Sequence, residues 1–182
     1  MKYSIHILSD WHIGSGLASG AESDANVLKD KDNLPYIPGK TIKGLFKAAL
    51  LEMPSSIVDI NAINRIFGYE IIDPISKKVT ETKSGTAFFS NAILTDPERT
   101  EAKIYANFLY RNISSTSINE DGVAVNHSLR TMEVCMPLTL VGEITGIFEE
   151  DKPIIDKAAK WVRNIGVNRN RGLGRCKMEI HG

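Results

Sequence analysis

Two stretches of the chain carry residue types that could handle a phosphodiester. One is Asn168-Arg169-Asn170-Arg171-Gly172-Leu173-Gly174-Arg175. Glycine has no Cβ, so backbone N–H groups can approach a ligand closely, and successive N–H groups in a turn form a concavity for an anion. Arginines beside such a turn add permanently charged, bidentate donors matched to phosphate. A Walker loop needs Gly-Lys-Ser/Thr opening a helix, whereas this stretch opens a strand, so a single ribose-phosphate strand fits better than a nucleoside triphosphate. The plainer reading is a glycine-rich hairpin turn with solvated arginines.

The other is Trp11-His12-Ile13-Gly14-Ser15-Gly16 together with Leu34-Pro35-Tyr36-Ile37-Pro38-Gly39-Lys40-Thr41-Ile42-Lys43-Gly44. Gly14 and Gly16 allow a sharp turn that presents Ser15. Pro38-Gly39 opens a helix whose unpaired N–H groups and dipole favour an anion, assisted by Thr41, Lys40, Lys43 and Lys47. His12 alone reads as a hydrogen-bonded structural histidine; beside the helix tip it becomes a candidate RNA contact.

These segments sit in a chain of 182 residues with 22 basic and 22 acidic side chains, 42% of it hydrophobic. That size suits one domain spanning 1–182, and the apolar content excludes wholesale disorder. No apolar run approaches the roughly 20 residues that span a bilayer, so no membrane role is expected. Cys135 and Cys176 have no metal-ligand spacing; two isolated thiols and a start without signal-peptide character fit a reducing cytoplasm. The neutral total conceals a dipolar surface. Between Lys157 and Lys177 there are seven basic residues and no acid, while acids gather at Glu22–Asp24, Asp30–Asp32, Glu120-Asp121 and Glu149–Asp151. A local basic patch can bind a polyanion whatever the sum.

The elements that must position these residues follow from periodicity. Tyr3, Ile5 and Ile7 alternate with Ser4 and His6, a half-buried strand. Residues 14–39 form a loop of about 25 residues, long enough to be functional. Ile42, Leu45, Phe46, Ala49, Leu50 and Met53 place one apolar face on a helix stopped by Pro54. Asp59 to Phe67 suggests a short helix, and 69–84 has no readable pattern. Thr86 to Leu94 reads as a second strand, Ala102 to Leu109 as helix or strand, and Ser114 to Arg130 as a projecting hairpin. Met136 to Thr145 makes a third strand. Asp151 can cap a helix with Ile155, Ala158, Val162 and Ile165 on one face and Gly166 at its end. Arg175 to Ile180 closes the chain as a strand. The order strand, helix, strand, strand, helix, strand predicts an α+β, ferredoxin-like (RRM-like) βαββαβ antiparallel sheet with both helices on one face and inserted loops.

Taken together, His12-Ile13-Gly14-Ser15-Gly16, the Ile37–Gly44 stretch, Arg171-Gly172-Leu173-Gly174, Phe67-Gly68, Gly85–Ala92 and Thr116-Ser117-Ile118 resemble the RAMP (repeat-associated mysterious protein) superfamily of CRISPR systems. Their order spans the chain, and the single-domain plan looks most like the backbone subunits of type III effector complexes. The resemblance implies an RRM-like core, copies of the chain polymerised along a CRISPR guide RNA beside other effector subunits, and a thumb hairpin inserted between guide and complementary target RNA. In subunits that cut the target, it implies an Asp in the loop after the first strand, here Asp24. A carboxylate beside a phosphodiester could hold a divalent cation, Mg or Mn, together with RNA oxygens, or orient the attacking 2′-hydroxyl. The plainer reading of Asp24 is a loop-capping or solvated acid, like Glu22, Asp30 and Asp32. No organic cofactor is implied.

The thumb departs from the family pattern. Glu120 and Asp121 follow Ile118-Asn119 where a basic residue is common, leaving Ser128 and Arg130 as the candidates to meet a phosphate there. Two alternatives stand beside the backbone reading: a CRISPR-RNA processing endoribonuclease of the same superfamily, for which 182 residues are short, and a non-catalytic RNA-binding or interaction module.

Overall fold

The computed structural model describes residues 1–14, 16 and 25–182. The chain passes through β1 (Lys2–Ile7), α1 (Gly39–Leu51), α2 (Ile60–Phe67), β2 (Gly68–Ile72), β3 (Val79–Ser84), β4 (Phe88–Phe89), α3 (Asp96–Ala102), β5 (Tyr110–Ser115), β6 (Arg130–Cys135), β7 (Thr139–Thr145), α4 (Lys152–Trp161) and β8 (Cys176–His181). Four strands form one sheet in the order β4-β7-β1-β8, each pair antiparallel.

The alternation in β1 does what its period requires. Ile5 lies opposite Leu140 on one side and Met178 on the other, and all three enter the core. Tyr3 faces Gly142, where a Cβ would stand 2.3 Å from the phenol oxygen; the missing side chain makes room for the ring, whose hydroxyl donates to Ser90 O at 2.8 Å. On the opposite face, Ser4 lies under two imidazoles, with His6 Nε2 3.2 Å and His181 Nε2 2.9 Å from its Oγ. The apolar stripe of α1 (Ile42, Phe46, Ala49, Leu50) and that of α4 (Ile155, Ala158, Ala159) share one core with Tyr3, Ile5 and Leu140, so both helices cover the same face. Each such large side chain, fully buried, contributes about 1.5–3 kcal/mol.

Two antiparallel arms leave this body. The stretch without readable periodicity, 69–84, is the arm β2–β3, and it lacked a pattern because neither of its faces is buried: every residue of β3 is exposed. At its neck, Gly68 (φ +82) and Gly85 pass so closely that a Cβ on Gly68 would lie 2.7 Å from Gly85 N, and one on Gly85 2.3 Å from Ile66 O. The second arm is β5–β6 with an exposed tip over 116–129, the projecting hairpin expected there. Its base is anchored by Arg111 on Asp10, by Lys29 on Glu133 (2.7 Å), and by the Lys29 ammonium 3.9 Å over the Tyr110 ring.

Other elements differ from expectation. The strand expected over 86–94 is continuous only at Phe88–Phe89; beyond it the chain continues as isolated bridges, Ala92 with Ile37 and Ile93 with Val141. Ala102 to Leu109 is neither regular helix nor strand but the end of α3 followed by 3-10 turns broken at Tyr105. Helix α4 ends at Trp161 instead of running to Ile165, because Val162 turns extended and Asn164 bridges to Arg175. Asp151 does not cap α4 with its side chain. Its fully buried carboxylate takes two bonds from Arg65, Nε to Oδ2 at 3.1 Å and Nη2 to Oδ1 at 2.6 Å. Among the described residues, no helix is long and apolar enough to cross a membrane. Cys135 and Cys176 are both buried free thiols, as packing residues should be.

Candidate nucleic-acid interface

The three segments singled out by their chemistry meet at one end of the sheet. Past β1, the chain 8–14 is held between the terminal loop and β6. Leu8 N donates to Arg175 O (2.7 Å), Gly174 N to Asp10 O (2.8 Å) and Val167 N to His12 O (3.1 Å). On the other side Trp11 and Cys135 exchange backbone bonds at 3.0 and 2.8 Å. Ile13 and Gly14 then line a cleft with Gly39, Lys40 and Thr41 at the start of α1, while Leu45 and Ala48 further along α1 line a second cleft with Arg169 and Asn170. The 12–14, 39–47 and 168–175 segments are therefore neighbours that share two clefts. Ser15 and Asp24 lie outside the described residues.

Within these segments the glycines and the helix tip have structural occupations. Gly39 is buried, and a Cβ there would fall 1.9 Å from Phe89 O; its N–H is taken by Asn91 Oδ1 at 3.0 Å, and Thr41 N and Ile42 N turn back to Pro38 O. Lys43 donates to Ala87 O and Lys47 to Gly68 O, each at 2.7 Å, and burial holds the Lys43 ammonium below the usual lysine range, with Lys47 adding to the effect. Lys40 is exposed, and its ammonium has no partner among the described residues. His12 is 3% exposed with Nδ1 donating to Glu133 O at 2.7 Å, and a Cβ on Gly14 would stand 3.1 Å from its Nε2. The histidine thus ties the strand end to β6.

In the terminal loop part of the backbone is likewise engaged. Asn168 (φ 54) starts a 3-10 turn over Arg169–Arg171, Arg171 N returns to Asn168 O (2.8 Å), and Arg175 N is received by Ser9 Oγ (3.0 Å), whose hydroxyl donates to Gly172 O (2.8 Å). Gly174 (φ +67) has no room for a Cβ, which would meet Ile165 O at 1.9 Å; Gly172 (φ +88) faces open space. The N–H groups of Arg171, Gly172, Gly174 and Arg175 are thus taken by internal bonds. Among the described residues, Arg163, Arg169, Arg171 and Arg175 are exposed with no carboxylate partner, whereas Arg65, Arg99 and Arg111 are each ion-paired. The lysines of the same stretch are engaged as well: Lys157 on Ile57 O, Lys160 on Asp156 and Lys177 on Glu179. Four arginines without a carboxylate partner among the described residues thus sit around one loop, and clustered guanidiniums attract polyanions.

The thumb-like arm stands beside these segments through Asp10–Arg111. Ser128 is not free at its tip: its hydroxyl meets Thr116 Oγ1 and Val125 O, both at 2.7 Å, and receives Ser117 N. Arg130 is exposed without an ion pair among the described residues, and Ile118, Val123 and Leu129 at the tip are exposed apolar residues. The chain following Asp24 docks at the base of the same arm, where Ala25 bridges to Met132 and receives Glu133 N at 3.0 Å. Among the described residues no three His, Cys, Asp or Glu side chains come together as a metal site.

Sequence reasoning passed over Ser9, which carries no motif, and Trp161, which reads as one more apolar residue of α4. Residues 4–177 match the family described as RAMPs, the RAMP superfamily. No curated protein sequence matches significantly. Among solved structures, a chain of type III-B Cmr-beta bound to cognate target RNA shares the fold with a TM-score of 0.69 at 13% identity, covering 98% of this chain and 95% of that one. A chain of the apo state of type III-B Cmr-beta does so with 0.68 at 12%, again over 98% and 95%.

Proposed function

The chain belongs to the RAMP superfamily, and on that footing we propose that it is a guide-RNA-binding backbone subunit of a type III CRISPR effector complex, acting in the cytoplasm. The observation that carries this reading is the set of four arginines, without a carboxylate partner among the described residues, on a loop bonded to the end of β1. The strand order β4-β7-β1-β8 with both helices on one face is the order a ferredoxin-like core requires, and it supports that finer reading of the fold. Exposed Ile104, Tyr105 and Phe108 give the outer side an apolar patch of the kind that packs against a neighbouring subunit, in keeping with repeated copies along one guide. The arm β5–β6, with apolar residues at its tip, suits insertion between guide and target.

Cleavage of the paired target at Asp24 is part of the proposal and rests on the place of this acid in the sequence. A divalent cation there would be held by Asp24 with waters and RNA oxygens, since the described residues supply no cage. The test is purification of the complex from its host and sequencing of the bound RNA, with target cutting compared for Asp24→Ala. Short RNAs carrying a repeat-derived tag are expected, and cutting is expected to be abolished with target binding retained. Random host RNA would reject the guide-binding role, and undiminished cutting would reject Asp24 as the catalytic acid.

A further inference from the structure

The cleft between α1 and the terminal loop contains a side chain that phosphate binding leaves unused. The cleft has a volume of about 490 Å³, within the range of roughly 300–1,000 Å³ typical of ligand sites, and Leu45, Ala48, Trp161, Arg163, Arg169 and Asn170 line it. Trp161 is 47% exposed, whereas Trp11, the only other tryptophan, is wholly buried. Its Nε1 donates to Glu52 Oε2 at 3.2 Å, which fixes the indole at the end of α4. Leaving a large aromatic half in water forgoes burial, and an indole beside unpaired guanidiniums is the combination on which nucleobases stack.

We propose that this cleft receives one unpaired nucleobase of the bound RNA strand, stacked on Trp161, with an adjoining phosphate on Arg163 or Arg169. The proposal rests on the RNA-binding reading above and extends it from the backbone to a base. Charge fixes the polarity of the nucleotide. Among the described residues Glu52 is the one carboxylate lining the cleft; it repels a phosphate and accepts from a base amino or imino N–H. Arg163 and Arg169 do the reverse. The base therefore turns toward Glu52 and the phosphate toward the loop. Stacking itself is indifferent to sequence, and each base has an N–H edge from which Glu52 can accept.

The test uses the full chain and two labelled probes, a single-stranded oligoadenylate of roughly 12 nucleotides and an abasic ribose-phosphate oligomer of equal length. Because Trp11 is sealed in the core, quenching of tryptophan emission reports Trp161. Oligoadenylate is expected to quench it and to bind Trp161→Leu about 5- to 150-fold more weakly, with the salt slope unchanged. The abasic oligomer is expected to bind both proteins alike without quenching, and Trp161→Phe to recover part of the loss. Oligoadenylate bound with unaltered emission, and equally by wild type and Trp161→Leu, would overturn the stacking site while leaving RNA binding in place. Failure of wild type to bind either probe would overturn both. The quenching measurement needs no variant, so it decides the matter even if Trp161→Leu misfolds.

Discussion

The hydroxyl of Ser9 donates to the carbonyl of Gly172 at 2.8 Å while accepting the N–H of Arg175 at 3.0 Å. One small side chain at the end of β1 thus staples both sides of the arginine loop. Removing it in Ser9→Ala frees the loop without touching a charge. With about 0.5–1.5 kcal/mol per hydrogen bond, the expected loss in guide affinity is about 2- to 10-fold. Fluorescence anisotropy measures it, and hydrogen exchange over 168–175 is expected to accelerate alongside.

Arg169 and Arg171 begin and end the 3-10 turn, with no carboxylate partner among the described residues. Each phosphate contact on a single strand contributes about 0.7 to the slope of log K against log salt. The double variant Arg169→Ala/Arg171→Ala is therefore expected to lower that slope by about 1.4. Titration of a labelled guide across salt measures it, and an unchanged slope would place the phosphates elsewhere.

Two glycines of α1 separate packing from flexibility. Gly39→Ala drives a methyl to within 1.9 Å of Phe89 O, and overpacking of this kind costs about 2–3 kcal/mol. Gly44 meets nothing within 4 Å on the exposed side of the helix, so Gly44→Ala is expected to stabilise by about 0.5–1 kcal/mol. Urea midpoints of the two variants should move in opposite directions.

Burial pushes the Cys135 thiol up to about 12, with Asp10 and Glu133 adding to the effect, and burial alone does the same for Cys176. A group whose pKa rises on folding stabilises fully below its unfolded value, about 8.5 for cysteine, and loses that contribution as pH climbs toward the folded value. Stability is therefore expected to decline from about pH 8.5 upward. Tyr3 and Tyr110, whose phenols burial also raises, steepen the decline above about pH 10. Urea unfolding across pH measures this, and a thiol reagent should label neither cysteine at pH 8 until the chain unfolds.

The parts of the fold with one buried face were legible in the sequence. β1 shows its alternation because Ile5 is buried and His6 is half-buried, and α1 shows its stripe because Ile42 and Phe46 face the sheet. The arm β2–β3 was not legible, since exposure on both faces leaves no period to detect. Nor was the end of α4, where spacing through Ile165 stays helical while the backbone extends so that Asn164 can bridge to Arg175. At the site, the three segments were legible as motifs, and their convergence is a tertiary fact. At the glycines, composition shows that Gly39 and Gly174 lack a side chain, but only the neighbouring carbonyls of Phe89 and Ile165 show the close approach that this permits.

The neck at Gly68 and Gly85 has a consequence for the arm it carries. Backbone pressed on backbone fixes the direction in which β2–β3 projects, and no side chain of β3 is asked to hold it. The arm is a spar bolted at its root: a methyl at either glycine would meet backbone within 2.5 Å, whereas the exposed side chains of β3 have no packing to disturb.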